Sequence, residues 1–147
     1  MKSKLLMLIV FSGFIFSCEN DEDPFNEFTF DDALYTSVKT KCEVSISGSA
    51  YLTTAWKGSG ADFAACGIIF FYTGGEYPEQ GEYEVNPASI QLEVSMFDAN
   101  HTKHLGQSGV VLVSRRNGKP MIEFTDVVFK NPETDSLYYG SGKFGCD

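Results

Sequence analysis

The dipeptide Asn117-Gly118 separates two runs rich in apolar residues, 109–115 and 119–129. Asn-Gly is the pair that most readily takes the positive φ angles of a two-residue type I′ turn, whose twist suits the strands on either side. The pattern predicts an antiparallel hairpin. A period of two marks residues 90–96, where Ile90, Leu92, Val94 and Met96 fall on one face and polar side chains on the other. Residues 68–72 are apolar on both parities, which predicts a central strand covered on both faces.

Further strands are expected at Phe28-Thr29-Phe30 and at residues 42–47, 50–56, 83–85 and 137–146. Gly48, Gly74-Gly75, Pro78, Gly81, Pro87, Asn100, Asn131-Pro132 and Gly140 punctuate them. With 13 Phe and 7 Tyr but one Trp, the composition favours sheet. The only helical prospect is one turn at residues 60–66, where Ala61, Ala64 and Ala65 cluster. The expected fold is all-β: a single antiparallel β-sandwich or small β-barrel of roughly seven to nine short strands, the two alternatives remaining open.

At the N-terminus, Lys2 and Lys4 precede an apolar segment, residues 5–16, broken only by Ser12 and Gly13. It has signal-peptide length and is too short to span a bilayer. Ser17 is a small residue suited to a cleavage point, and Cys18 follows it. Next comes Glu19-Asn20-Asp21-Glu22-Asp23-Pro24, which is costly to bury and ends in a residue that cannot continue a helix. The expected organisation is a signal peptide at residues 1–17, an acidic tether at 18–24 and a β-rich domain at 25–147.

Ile15-Phe16-Ser17-Cys18 resembles the lipobox of bacterial lipoproteins, departing from it at Phe16, where a small residue is commoner. The resemblance implies that Cys18 carries the lipid, with palmitate among its acyl chains, and that the membrane is a partner through this anchor. Two or three acyl chains anchor stably where one does not. The acidic run after Cys18 also resembles the export signal of surface lipoproteins in Bacteroidota. Together with the Gly81-Glu82-Tyr83 element and the closing Ser141-Gly142-Lys143-Phe144-Gly145-Cys146, the layout looks like the small outer-membrane lipoproteins of that group. It implies a lipid-anchored protein on the outer membrane, at the cell surface; the alternative is a plain solvated linker and a domain facing the periplasm.

Loss of Lys2 and Lys4 would leave nine basic against twenty acidic residues, a net charge of −11. Such a field repels phosphate backbones, so no nucleic-acid partner is expected. Besides Cys18 there are Cys42, Cys66 and Cys146, an odd number that permits at most one intramolecular bond. Strand parity places Cys42 with Val44 and Ile46, and Cys146 with Phe144, which favours a Cys42–Cys146 disulfide and leaves Cys66 as a small buried hydrophobe. No two of these cysteines are at CxxC spacing and neither histidine adjoins them, so no metal is expected.

His101 and His104 flank a loop-like Thr102-Lys103 and read as two solvent-exposed histidines. No GxSxG elbow or P-loop is present, and the glycine pairs around Ser59 and Ser141 read as turns, so neither an enzyme nor a cofactor is expected. Carboxylate pairs such as Asp31-Asp32 or Glu82 with Glu84 are common by chance in an acidic chain. The aromatic residues Trp56, Tyr77 and Tyr138 are the candidate ligand-facing side chains, because flat rings beside carboxylates stack on sugars or anchor protein interfaces. Packing of the sheet by Tyr83 and by one of Tyr138 and Tyr139 competes with that reading.

The resulting expectation is a non-enzymatic binding module for glycan or protein. One alternative is an envelope-protecting inhibitor: Ser47-Gly48-Ser49-Ala50-Tyr51 is similar to the Ser-Gly-Ala-x-Tyr loop of lipoprotein inhibitors of c-type lysozyme, with the Ala displaced by one position. Others are a structural subunit of an envelope complex and a hydrolase drawing on the abundant carboxylates and serines.

Overall fold

A computed structural model describes residues 26–45, 47–71, 74 and 77–146. The expected signal peptide, Cys18 and the acidic tether lie outside the described residues, as do Ile46, Tyr72, Gly75 and Glu76. The described chain is all-β and antiparallel. Its strands are β1 (Glu27–Phe30), β2 (Ala33–Tyr35), β3 (Lys39–Val44), β4 (Ala50–Lys57), β5 (Ala64–Phe71), β6 (Gly81–Glu84), β7 (Leu92–Phe97), β8 (Lys103–Arg116), β9 (Lys119–Lys130) and β10 (Leu137–Gly145). They form one sheet in the order β2-β1-β10-β9-β8-β7-β5-β4-β3, with β6 paired to β8 off this path. The sheet curls into a half-barrel.

The β8–β9 hairpin turns at Asn117 (φ 52°) and Gly118 (φ 80°), the left-handed pair that the dipeptide supplies cheaply. β8 starts six residues earlier than the run at 109–115 implied; two register shifts between Gly106 and Val110 bulge the strand without ending the ladder. At the second shift Gly109 has φ 126°, and a Cβ there would sit 2.8 Å from Val127 Cα, so no larger residue fits.

The concave face holds a continuous core that includes Phe28, Phe30, Tyr51, Ile68, Phe70, Val94, Met96, Val111, Ile122, Phe124, Phe129 and Phe144. Rings meet over a missing side chain at Gly142, where a Cβ would lie 2.6 Å from both the Phe124 ring and Phe28 Cβ. A disulfide between Cys42 on the terminal strand β3 and Cys146, just past β10, the third strand from the other end, ties the two sides of the curled sheet with a Cα separation of 5.7 Å. Cys66 is free and fully buried, and burial pushes its thiol well above the usual range.

Several sequence expectations are corrected. Ile90 is 73 % exposed and precedes β7 rather than joining Leu92, Val94 and Met96 on the core face. The Ser89 hydroxyl accepts the backbone N–H groups of Gln91 and Leu92, so a side-chain turn occupies that stretch of backbone. Only Gly60–Asp62 forms a helical turn, a single 3₁₀ one; Ala64, Ala65 and Cys66 already pair with β4. β5 is central as expected, but its outer residues Ile69 and Phe71 are only half-buried, since a single curled layer leaves the convex face to be shielded by neighbouring side chains. Val44, expected inward, is 40 % exposed at the end of edge strand β3. β2 was not anticipated; its three residues carry too short a pattern to read.

Candidate binding cleft

β8 is long enough to serve two strands along one edge. Its residues 103–105 pair with β7, whereas residues 110–113 pair with β6. Between these stretches lie the Gly106–Gly109 irregularities, where the sheet divides. Val85 plugs the division: it is 6 % exposed, and its Cγ1 fills the space that a Cβ on Gly106 would claim.

Outside this plug, β6 and the segment entering β7 diverge and leave a cleft of about 310 Å³ lined by Glu82, Tyr83, Glu84, Asn86, Ser89, Gln91 and Leu92. A neighbouring depression of about 170 Å³ shares Asn86, Ser89 and Leu92 and adds Phe71, Pro87 and Glu93. The connecting segment holds its own shape. Asn86 accepts the Ala88 N–H through Oδ1 and the Ser89 N–H through its carbonyl, and Ser89 Oγ accepts two more N–H groups. These bonds leave the Glu82 and Glu84 carboxylates and the Gln91 amide to face solvent, all three residues being exposed. Tyr83 forms the wall, its ring edge-on to Phe70 with centroids 5.2 Å apart and its hydroxyl donating to the Glu79 carbonyl. Burial, then the Glu79 charge, raise its phenol above the usual range, while Arg115 acts the other way.

The structure does not gather the three candidate aromatics, and none of them lines the cleft. Trp56 lies on the convex parity of β4, opposite Tyr51, Thr53 and Ala55. Tyr77 packs edge-on against Tyr51, with centroids 5.5 Å apart, and lies beneath the Arg115 guanidinium, also at 5.5 Å. Tyr138 packs between Phe30 and His104, at 5.5 and 5.0 Å. Tyr51 bonds Cys146 at one end of β10 and Tyr138 stands at the other, about 25 Å away at strand rise.

Two polar clusters were not legible in the sequence. Arg115 follows the inward parity of Val111 and Val113, and that parity is the signal that could have found it. One of its amino groups donates to the Pro78 carbonyl at 2.6 Å; the other, Nη1, is buried without a partner, and no carboxylate of the described residues pairs with the guanidinium. Tyr51, in contact with this cluster, has its phenol pushed up to about 12 by burial and then by Tyr77, with Arg115 opposing.

The second cluster overturns the expectation of two exposed histidines. His101 is exposed, with φ 60°, and packs against Phe63 with the rings tilted, but His104 is 1 % exposed on the concave face. Its Nε2 lies 3.0 Å from Asp98 Oδ2, and its Nδ1 has no partner. Asp98 Oδ1 accepts the N–H groups of Asn100 and Thr102, so this carboxylate staples the β7–β8 turn. Among the described residues no three His, Cys, Asp or Glu side chains gather to hold a metal ion. Tyr51 of the inhibitor-like segment points into the core at 1 % exposure, and residues 47–49 form the β3–β4 turn.

No family model matches the chain, and no curated protein or solved structure is significantly similar to it.

Proposed function

We propose that this chain is a lipid-anchored cell-envelope lipoprotein whose β-domain is a non-catalytic binding module for glycan or protein, displayed on the outer membrane. The lipobox-like Ile15-Phe16-Ser17-Cys18 and the acidic run behind it support the address. One structural observation supports the activity: the cleft where β6 and β7 part is prearranged by its own turn hydrogen bonds and lined by carboxylates and an amide that no side chain among the described residues engages. Prearranged polar groups above an apolar floor, here Leu92, are what a ligand site requires.

The test compares the wild type with Cys18→Ala and with Glu82→Ala/Gln91→Ala in the native host. Protease added to intact cells should digest the wild-type domain. Lipid labelling should be lost in Cys18→Ala, and the cleft variant should stay anchored while losing partners captured from envelope extract and immobilised envelope glycans. Retention of the same partners by the cleft variant counts against the cleft, and undiminished lipid labelling of Cys18→Ala counts against the anchor.

A further inference from the structure

We propose that the free edge of β6 is a docking strand for an extended polypeptide carrying lysine or arginine at alternate positions. The inference rests on the binding-module reading and names its partner. β6 pairs with β8 alone, in the register Gly81↔Val113 through Glu84↔Val110, and the Val85 N–H continues that ladder onto the Gly109 carbonyl at 2.9 Å. In an antiparallel pair, hydrogen-bonded and non-bonded positions alternate. Val85, Tyr83 and Gly81 therefore turn their backbone groups toward β8, and Glu82 and Glu84 turn theirs the other way, into the 310 Å³ cleft.

A strand added there would take two N–H donors and two C=O acceptors from β6, the mode in which main-chain bonds give affinity and alternate side chains give specificity. Residues opposite Glu82 and Glu84 would share the face of their exposed carboxylates, so a basic residue is favoured at each; the residue between would face Tyr83 and Leu92 and should be small or apolar. The same carboxylates disfavour a second copy of this chain, since antiparallel self-pairing would set glutamates against glutamates on a protein of net charge −9. A glycan would use the carboxylates and Gln91 but has no use for the edge amides.

The probe is an acetylated and amidated peptide of four Lys-Val repeats, titrated into the 15N-labelled full-length protein in detergent micelles. Slowed amide exchange at Glu82 and Glu84, with Tyr83 unchanged, is the expected result. Glu84→Pro removes one outward donor together with the Glu84 carboxylate and leaves the β8 ladder intact, so affinity should fall about tenfold and further than in Glu84→Gln, which keeps the donor. Methylating alternate peptide nitrogens should do the same with charge unaltered, and this arm needs no protein variant. Glu82→Gln/Glu84→Gln should weaken binding several-fold and flatten its salt dependence. Equal binding of the N-methylated peptide, or of a Glu-Val peptide, overturns the assignment, as do cleft resonances that respond to envelope oligosaccharides and not to the peptide. An envelope partner that is captured but indifferent to competing peptide removes the β6 assignment and leaves the binding module standing.

Discussion

Asp98 and Thr53 show how much individual polar residues matter inside a single curled sheet. Burial works to raise the Asp98 carboxyl, but hydrogen bonds from His104, Thr102 and Asn100 outweigh it and hold the group below its ordinary value of 3.8. A depressed carboxyl contributes stability that is full above the ordinary value and lost as pH falls through the lower folded value. Urea midpoints should therefore drop below about pH 4 in the wild type, and Asp98→Asn should cost about 1–3 kcal/mol at pH 7 while flattening that acid limb. An unchanged acid limb in the variant would assign the pH dependence to other carboxylates. Thr53 faces the core at 0 % exposure with an unpartnered hydroxyl. Replacing it by the isosteric Val should raise stability by up to about 1 kcal/mol, since an unsatisfied polar atom is exchanged for a methyl group; a lower denaturation midpoint would mean that the hydroxyl has a partner in solution.

Among the elements, the β8–β9 hairpin was the most readable, because its turn signal and the apolar runs on either side of it are local. Its extension across residues 103–108 was not, since a bulge shifts side-chain parity and the period of two breaks where pairing continues. Gly109 is the element's least replaceable residue. Gly109→Val demands a side chain at φ 126° and 2.8 Å from Val127 Cα; the expected loss is about 2–4 kcal/mol, larger than for Gly118→Ala, where nothing lies within 4 Å and only the positive φ resists. Thermal melts of the two variants compare them directly. Ile90 was misplaced for a related reason: its parity is right for the face, but the Ser89 hydroxyl turns the backbone just where a ladder would start.

On the scale of the whole molecule, the Cys42–Cys146 disulfide joins residues 104 apart in sequence and restrains the unfolded chain over most of the domain. Cys42→Ser/Cys146→Ser should lose about 2–5 kcal/mol of stability. Cys66, being fully buried with its thiol driven up by burial, should resist iodoacetamide in the folded protein and react once the sheet opens. Mass spectrometry after labelling in and out of denaturant reads both states, and rapid labelling under native conditions would show that β5 opens more readily than its central position implies.

The all-β class, the main hairpin and the inward parity of Cys42 and Cys146 are legible in the chain alone, because strand propensity and turn chemistry act between near neighbours. Long-range pairing settles the division of the β8 edge between β6 and β7, the unpaired backbone of Glu82 and Glu84, and the burial of His104. These depend on which strands meet across long stretches of chain and on how far the sheet curls. Register between distant strands is set by the packing of Phe28, Phe124 and Phe144 in one core, and no local pattern encodes it.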